Sequence, residues 1–475
     1  METAEEKPNR RFGRWLLRKV FRLVFLALVL LAGGFLGLFA PQLYHHFWLF
    51  PKQAEAWKEL NETRMPVSLQ TGYTEYRGVM HSHSHISHDS LMEFPQIVEA
   101  LHKAKCQFIF LTDHVVHGKA DYSLGWKGVH DGVLFVQGYE MAEGFMPWGL
   151  PEGTVLDNNA DKPELAKEIR RLGGVLCFGH CEAGRPWDIP EVDGMEIYNL
   201  HTDLLDEMME KHSRPELVKE ALMNMYSYGD QTLRSMFDWW VLAMLVQKWD
   251  EQSLHRKITA IAANDCHQNV GIHGIYTAKD TLLILDTGHD DPEKKITEFN
   301  LNPITRFLLK SCFGPIEVNK EVFHIDLDPY ERSARFVNTH LLANELTEPA
   351  LLDAVRKGHA FIAFNMIADA TGFAFAAQGN GQQVIMGDQI ALSPDLKLLA
   401  ESPIRCRFTL IRNGKKVADK EGKTFEYSVK EPGKYRITAD LRVPGEIAVS
   451  GEDFSTNMAP WVLTNPIEVV AAAAP

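Results

Sequence analysis

Between residues 76 and 269 the chain alternates short apolar runs with longer amphipathic segments. Short apolar runs rich in aromatic and branched residues are typical of buried strands, and amphipathic segments are typical of helices that pack on them. Strands that alternate with helices form parallel βα units, so the pattern predicts an α/β fold, either a barrel or a layered sheet. The predicted strands are 76–80, 107–111, 133–137, 174–178, 194–198 and 258–263.

Side chains that can bind metals follow most of these predicted strands. In α/β folds the carboxyl ends of the strands lie on one side of the molecule, so we expect these side chains to meet there. Imidazoles and carboxylates without thiolates suit Zn, Mn or Fe, and carboxylates can bridge two ions. The residues are His81, His83, Asp89, Asp113, His114, Glu140, His180, Asp265 and His267.

The first of these segments is the densest, with four histidines and one aspartate between residues 81 and 89. Side chains alternate between the two faces of a strand, so His81 and His83 are expected on the same face. Two neutral imidazoles spaced in this way can share one metal ion. The other two histidines, His85 and His88, are candidates for proton transfer to a leaving group.

Charge is distributed unevenly along the chain. The net charge is −14, but residues 1–22 contain seven Lys or Arg and three Glu, so the remainder carries −18. An acidic body argues against a nucleic-acid partner, because such partners are bound through cationic contacts to phosphates. It does not argue against a small anionic substrate, because bound metal ions would dominate the local field.

The basic segment 1–22 precedes an uncharged, mainly apolar run at residues 23–40. That length is at the short end of what spans a bilayer, and a cleaved signal peptide is the alternative. We favour an uncleaved single-pass anchor in the cytoplasmic (inner) membrane. The positive-inside rule then places the segments after it on the periplasmic or extracellular side. Residues 41–75 have the pattern of a polar, helix-prone stalk.

Two later segments depart from the alternation of strands and helices. Residues 203–251 are almost wholly helical in pattern, which predicts a helical insertion within a domain of residues 76–320. After about residue 320 strand patterns dominate, with an Asn413–Gly414 turn signal and clean alternation at 424–429. We therefore predict a β-sandwich-like domain for residues 321–475.

The ordered motifs resemble those of the PHP (polymerase and histidinol phosphatase) family. The motifs are His81-x-His83, Ser87-His88-Asp89-Ser90, Thr112-Asp113-His114, Gly138-x-Glu140, Gly179-His180 and Asp265-x-His267. The resemblance implies a distorted seven-stranded βα barrel, two or three divalent metal ions, and phosphoester hydrolysis by a metal-bound hydroxide. The segment 460–467 looks, more loosely, like a branch that includes carbaryl hydrolases and membrane-anchored members.

The resemblance also implies how the ligands are shared among the ions. One site would use His81, His83, Glu140 and Asp265, and a second would use Asp89, His114 and His267. A third would use Glu140 as a bridge together with His180. Asp113 is expected to orient His114 rather than to bind metal.

The chain departs from the family pattern after Glu140. Members of the family usually have a further His a few residues later, and here Phe145 occupies the expected place. Either His201 completes the middle site from another loop, or the protein uses two ions, or its activity is reduced.

Three functions remain open from the sequence. The first is a membrane-anchored phosphoesterase acting on a small-molecule or lipid-head-group substrate, with Arg185 contacting a phosphate as a bidentate fork. The second is a metal-dependent hydrolase of a carboxyl ester, carbamate or amide. The third is a non-catalytic, metal-stabilised protein that binds a partner.

Overall fold

The computed structural model describes residues 10–208, 215–237, 239–442 and 458–472. Residues 1–9 of the predicted basic segment 1–22 and parts of the predicted insertion and C-terminal domain lie outside the described residues. The helices are α1 (Arg10–Tyr44), α2 (Phe50–Glu62), α3 (Phe94–Ala104), α4 (Lys162–Arg171), α5 (Leu200–Met208), α6 (Pro215–Ser235), α7 (Trp239–His255), α8 (Pro303–Phe313), α9 (Tyr330–Phe336) and α10 (Glu348–Lys357).

The strands are short in the first half of the chain and longer towards its end. Those of the first half are β1 (Thr74–Met80), β2 (Phe108–Phe110), β3 (Asp113–His114), β4 (Lys119–Asp121), β5 (Gly128–His130), β6 (Val133–Val136), β7 (Tyr139–Glu140), β8 (Phe145–Trp148), β9 (Val155–Asp157), β10 (Val175–Phe178) and β11 (Gly194–Asn199). The next are β12 (Thr259–Ala263), β13 (Gly271–Tyr276), β14 (Thr281–Asp286), β15 (Thr297–Asn300), β16 (Lys320–Asp326), β17 (Asn338–Ala343) and β18 (Ala360–Ala363). The last are β19 (Ala374–Gly379), β20 (Gln382–Ile385), β21 (Gln389–Ala391), β22 (Lys397–Arg412), β23 (Lys415–Ser428), β24 (Gly433–Arg442), β25 (Met458–Thr464) and β26 (Ile467–Val470).

The predicted mixed α/β character is confirmed. Strands β1, β2 and β6 pair in parallel, and β10, β11 and β12 form a second parallel group to which β8 adds in the antiparallel direction. Isolated bridges join the two groups at Ser82–Cys266 and at Gly138–Trp148. The carboxyl ends of the parallel strands therefore meet on one side.

The apolar strand β2 shows why the sequence forms this layer. Phe108, Ile109 and Phe110 are all buried, which is typical of a parallel strand covered on both faces. The neighbouring strand carries Gly78, where a Cβ would lie 2.4 Å from the Phe108 ring. Helix α3 follows β1, and its N-terminus is closed by a reciprocal capping box between Glu93 and Gln96.

Helix α10 closes the end of these strands opposite to the predicted ligands. The Thr259 hydroxyl at the start of β12 donates to the Val355 carbonyl over 2.7 Å. Leu352 lies against Gly149, where an added Cβ would come within 2.3 Å of its side chain. The amino-terminal ends of the strands are therefore sealed by apolar packing, which leaves the carboxyl ends as the open face.

The strands after β16 continue the same hydrogen-bonded sheet that contains β1. Strand β17 pairs antiparallel with β1, and the sheet continues through β18, β25, β24, β22, β19 and β20. The predicted domain boundary at residue 320 falls at the start of β16, which pairs with β13 in a separate four-stranded sheet. The edge of β1 is covered by a strand from the C-terminal part, so the two parts share backbone hydrogen bonds.

Two buried polar contacts tie the C-terminal strands to α7 and β12. The Asn465 side chain accepts from the Ala260 amide over 2.9 Å and donates to the Ala260 and Ala360 carbonyls over 3.2 and 2.9 Å. Arg436 makes a bidentate contact with Asp250 over 2.8 and 2.7 Å.

The N-terminal helix contains a segment that is long and apolar enough to cross a membrane, and the same properties suit a signal sequence. Helix α1 runs through one π-helical turn, His45–Leu49, directly into α2. At this junction His45 Nδ1 lies 2.8 Å from a Glu220 oxygen and His46 Nδ1 lies 2.8 Å from Asn224 Oδ1. The first part of the predicted stalk is thus helical and packed against α6, a helix of the predicted insertion.

Replacing Asn465 tests the attachment of the C-terminal strands. We expect Asn465→Ala to lower the free energy of unfolding by about 1–3 kcal/mol, because the buried amide and carbonyl groups of Ala260 and Ala360 lose their partners. Chemical denaturation followed by circular dichroism measures the change. The exposed amide Asn159 provides the control, and an equal effect of Asn159→Ala would contradict the expectation.

Candidate metal centre

The predicted ligands lie at the carboxyl ends of the strands. His81 follows β1, His180 follows β10, and Asp265 follows β12, each within two residues of the strand end. All three have left-handed backbone conformations, with φ of 88°, 47° and 51°. Non-glycine residues adopt this region at a cost in free energy, and such conformations cluster at functional sites. The strain turns each side chain out of its strand direction and into a common space.

Two very short strands bring another pair together. Strands β3 and β7 are parallel, and their register places His114 directly beside Glu140. The Nδ1 atom of His114 lies 3.3 Å from Oε2 of Glu140.

Glu140 lies close to four imidazoles of the described centre. Its Oε2 atom lies 3.6 Å from His81 Nε2 and 3.7 Å from His83 Nε2, in addition to the His114 contact. Its other oxygen, Oε1, lies 3.0 Å from His180 Nε2. The two oxygens thus face different imidazoles, which is the geometry required of a carboxylate that bridges two ions.

Asp265 and Asp89 complete the arrangement on either side. Asp265 Oδ1 lies 3.2 Å from His81 Nε2 and 3.0 Å from His83 Nε2, and Oδ2 lies 3.5 Å from His180 Nε2. Asp89 Oδ2 lies 3.3 Å from His114 Nε2 and 3.5 Å from His267 Nε2.

All eight predicted ligands therefore lie in one cluster, but the grouping differs from the one that the family resemblance implies. Asp265 belongs to the same set as His180, and His83 also belongs to the set that contains Asp89. The three sets, each with ligand atoms within 4.8 Å of one another, are His81–His83–Glu140, His81–His180–Asp265 and His83–Asp89–His114–His267.

Several buried polar atoms in this cluster have no hydrogen-bond partner, although carboxylates and imidazoles face one another at 3.0–3.7 Å. Leaving such groups unpaired costs about 1–3 kcal/mol each, and more when they are charged. A cation among them would satisfy lone pairs of both kinds, so the donor set fits divalent metal ions. The atoms are His81 Nε2, His83 Nε2, His267 Nε2, Asp89 Oδ1 and Asp265 Oδ1.

The carboxylates of the cluster are ionised at neutral pH. Burial opposes ionisation of Glu140, but the neighbouring His180 and His81 imidazoles outweigh it and hold the pKa well below its usual value. Burial likewise opposes ionisation of Asp265, and the charges of His81 and His267 bring its pKa well below the usual value. These carboxylates are therefore already anionic, and they need not lose a proton before a metal ion binds.

The pKa values of two imidazoles are shifted in the opposite direction, upwards. Burial lowers the pKa of His81, but the charges of Asp265 and Glu196 outweigh it, so the pKa lies well above 6.5. Burial also opposes the charged form of His180, and hydrogen bonding to Glu140 contributes most to raising its pKa. Without metal, protons occupy these nitrogens in place of a cation.

Glu196, which sequence reasoning did not single out, is the main support of the cluster. It is fully buried on β11, and its Oε1 lies 2.6 Å from His81 Nδ1. Its Oε2 accepts from the His180 backbone amide over 2.7 Å. A carboxylate on the far nitrogen of a ligating imidazole sets its tautomer and orientation. The one available signal was a charged residue in the middle of an otherwise apolar strand.

Asp113 supports a different histidine from the one predicted. Ser87 Oγ donates to Asp113 Oδ1 over 2.9 Å and also lies 2.9 Å from His83 Nδ1. The buried carboxylate therefore orients His83 through Ser87, while the Ser87 hydroxyl also accepts from the His114 amide. Strand alternation explains the difference, because it turns the Asp113 side chain away from that of its neighbour His114.

The predicted proton carriers lie at the rim. The His88 side chain is 69% exposed, and its ring lies 4.8 Å from the His114 ring. His85 is exposed and its Nδ1 lies 3.4 Å from Glu93, outside the metal sets. Arg185 donates to the Gly179 carbonyl over 2.7 Å and to the Gly184 carbonyl over 3.1 Å, which holds its guanidinium beside the His180 loop.

Phe145 and His201 occupy different environments. Phe145 is fully buried in the hydrophobic core, with its ring 5.7 Å from that of Phe178. His201 is buried and stacks on His267 at 4.7 Å, and burial followed by the charge of His267 lowers its pKa to about 4. It belongs to none of the three described ligand sets. Glu182 Oε1 lies 3.0 Å from His180 Nδ1, whereas the other ring nitrogen, Nε2, faces Glu140 and Asp265, so Glu182 orients the His180 ring.

No family model matches the sequence, and no curated protein matches it. One similar solved structure is a two-domain protein from Bacteroides vulgatus ATCC 8482 that contains a predicted PHP-like metal-dependent phosphoesterase. It is 12% identical, covers 85% of this chain and 98% of its own, and superimposes with a TM-score of 0.35. A likeness of this degree establishes neither family nor activity.

Removing the carboxylate of Glu196 tests the support of His81. We expect Glu196→Gln to weaken divalent-metal binding by roughly 10–100-fold, because the amide no longer holds the imidazole as strongly. Competition with a chelating indicator measures the affinity. Glu191→Gln, a partly exposed residue in the segment before the same strand, is the control, and similar affinities of the two variants would contradict the role.

Metal binding should release protons near neutral pH. Because the pKa values of His81 and His180 are raised well above 6.5 without metal, both are protonated at pH 7 and must lose a proton to bind an ion. Affinity should therefore rise as pH increases through these values and fall below them. Calorimetric titration in buffers of different ionisation enthalpy counts the protons, and a binding enthalpy independent of the buffer would oppose this assignment.

Proposed function

We propose that this protein is a membrane-anchored, divalent-metal-dependent phosphoesterase of the PHP type. The observation that carries the proposal is the convergence of five imidazoles and three carboxylates at one end of a parallel strand layer, with unpartnered buried lone pairs between them. The ordered motifs give the same residues. We propose further that the two strand groups form the distorted seven-stranded barrel that the motifs imply.

The three ligand sets would hold two or three ions, with Zn, Mn or Fe as the metals suited to the donors. When bound, the ions would supply the charge that ionises an attacking water and neutralises negative charge developing on phosphoester oxygens. The protein's part is to hold the ligands in place. Glu196 and the Ser87–Asp113 pair orient His81 and His83, and burial excludes water behind them.

Residues at the rim would act on the substrate. Arg185 is held beside the His180 loop by two carbonyls, so its positive charge would attract an anionic phosphoester without needing to be repositioned. His88 is exposed and lies next to His114, so it is better placed than His85 to give a proton to a leaving oxygen. His85 faces Glu93 instead and belongs to none of the ligand sets.

The proposed location is the cytoplasmic membrane, with the metal centre on the periplasmic or extracellular side. The exposed apolar helix before α2 and the basic residues ahead of it support an anchor in that orientation. A substrate at such a surface would be a small soluble phosphoester or the phosphoester of a lipid head group.

The test uses the full-length protein in detergent, stripped of metal and reloaded with Mn²⁺ or Zn²⁺. A panel of phosphomonoesters, phosphodiesters and lipid head groups is assayed alongside carboxyl esters, carbamates and amides. We expect phosphoester turnover that depends on metal and that falls roughly 100-fold or more in His81→Ala. The exposed His102 on α3 gives the control variant His102→Ala.

The same assay separates the alternatives. We expect His88→Ala to lower kcat roughly 100-fold while the metal content stays unchanged, which distinguishes proton transfer from metal binding. Turnover of carboxyl esters, carbamates or amides alone would identify the second kind of hydrolase. Stoichiometric metal without turnover of any panel member would leave a non-catalytic, metal-stabilised protein and overturn the proposal.

A further inference from the structure

A second group of metal-binding side chains lies on the four-stranded sheet of β13 to β16, separate from the eight ligands above. His273 on β13 and His324 on β16 are directly opposite one another in the antiparallel register. Glu321, also on β16, brings its carboxylate between them. The ligand atoms of all three lie within 4.8 Å of one another.

A β-bulge places Glu321 on the same face as the histidines. Residues three apart on a regular strand point to opposite faces, so Glu321 and His324 would normally be separated. The register shifts between Gly274 and Ile275, so that Ile275 is opposite Glu321 and one additional residue lies in β16. Bulges of this kind redirect side chains, and this one turns the carboxylate towards both imidazoles.

Hydrogen bonds orient both imidazoles in the same way. Nε2 of His273 lies 2.8 Å from the His289 carbonyl, to which it can only donate, and in the neutral ring this leaves a lone pair on Nδ1. Nε2 of His324 lies 2.7 Å from Asp326 Oδ1. Acceptors on the far nitrogens are the usual companions of metal-ligating histidines, because they set the tautomer and orientation.

The two Nδ1 atoms then converge on one carboxylate oxygen. Glu321 Oε2 lies 3.2 Å from His273 Nδ1 and 3.0 Å from His324 Nδ1. Neighbouring ligands of a tetrahedral zinc ion, each about 2.0–2.2 Å from the metal, are separated by roughly 3.3 Å. A neutral His273 whose proton is on Nε2 cannot donate to Glu321, so two lone pairs face each other there unless a cation lies between them.

From this geometry we propose that His273, Glu321 and His324 form a further binding site for a transition-metal cation of the zinc type. Three protein ligands leave a fourth position, which solvent can reach because the Glu321 side chain is 47% exposed. His273 is buried, so the site has one rigid ligand and two on the accessible side. A bound ion would link β13 to β16 and hold the His289 turn in place.

A simple ion pair is the competing explanation. Hydrogen bonding to Asp326, followed by burial acting in the opposite direction and by hydrogen bonding to Glu321, raises the pKa of His324 to about 9. Without metal this imidazole is therefore a cation between two carboxylates. Replacing it by lysine keeps the positive charge and removes the ligand, so the two explanations predict different results for His324→Lys.

The experiment counts zinc in the full-length protein in detergent. Protein is stripped with chelator, dialysed against buffered Zn²⁺, and analysed by mass spectrometry for metal per chain. The variants are Glu321→Gln and His324→Lys, both at positions whose side chains are partly exposed. Glu317→Gln, at an exposed residue four positions earlier, is the matched control. Thermal unfolding of the four metal-free proteins tests whether they are folded alike.

We expect the unmodified protein and Glu317→Gln to hold one more zinc ion per chain than Glu321→Gln and His324→Lys. Equal zinc contents in all four proteins would overturn the site and leave only the ion pair. The eight ligands of the main centre are the same in every variant, so any zinc that they bind adds equally to the zinc content of all four proteins. Absence of phosphoesterase activity would leave this count unaffected, so the two proposals fail separately.

Discussion

Five imidazoles and three carboxylates are removed from water together, and this shared burial is the constraint on which the rest of the structure depends. Buried charges of one sign would be prohibitively costly, and the two kinds of group offset one another only when they are close. The short distances around Glu140 and Asp265 meet this requirement. The left-handed backbone at three strand ends is the local cost of bringing these groups together.

The surrounding fold keeps that cluster in place. Helix α10 closes the far ends of the strands, and buried Glu196 reaches the cluster from within β11. The C-terminal strands cover the free edge of β1, which carries His81 at its end. A strand with partners on both sides cannot shift its register easily, and a shift of one residue would move His81 and His83 away from their partners.

The sequence predicted the mixed α/β layer and the residues of the cluster well, because both leave periodic signals. The ligands follow apolar strands in order, and His81 and His83 face the same two carboxylates, Glu140 and Asp265. It predicted the supporting groups poorly. Glu196 belongs to no motif. Ser87 links Asp113 to His83, but Ser87 and Asp113 are 26 residues apart in sequence, so only the folded chain brings these two side chains into contact.

The same reasoning explains the other differences. Phe145 was interpreted from its place in a motif, whereas its environment is set by the antiparallel pairing of β8 with β10, which no local pattern reports. The boundary at residue 320 was inferred from a change to strand patterns along the sequence. Hydrogen bonding across it joins β16 to β13 and β17 to β1, which are long-range pairings.

The unbroken passage from α1 through a π-helical turn into α2 has a consequence for how the molecule would meet its surroundings. Because the helix continues past its apolar segment and packs on α6, the folded part has little freedom to rotate relative to that segment. If the apolar segment lies in a bilayer, the mouth of the metal centre keeps one height and one tilt above it. Encounter with substrate would then be a search in two dimensions, governed by lateral diffusion rather than by tumbling of a tethered domain.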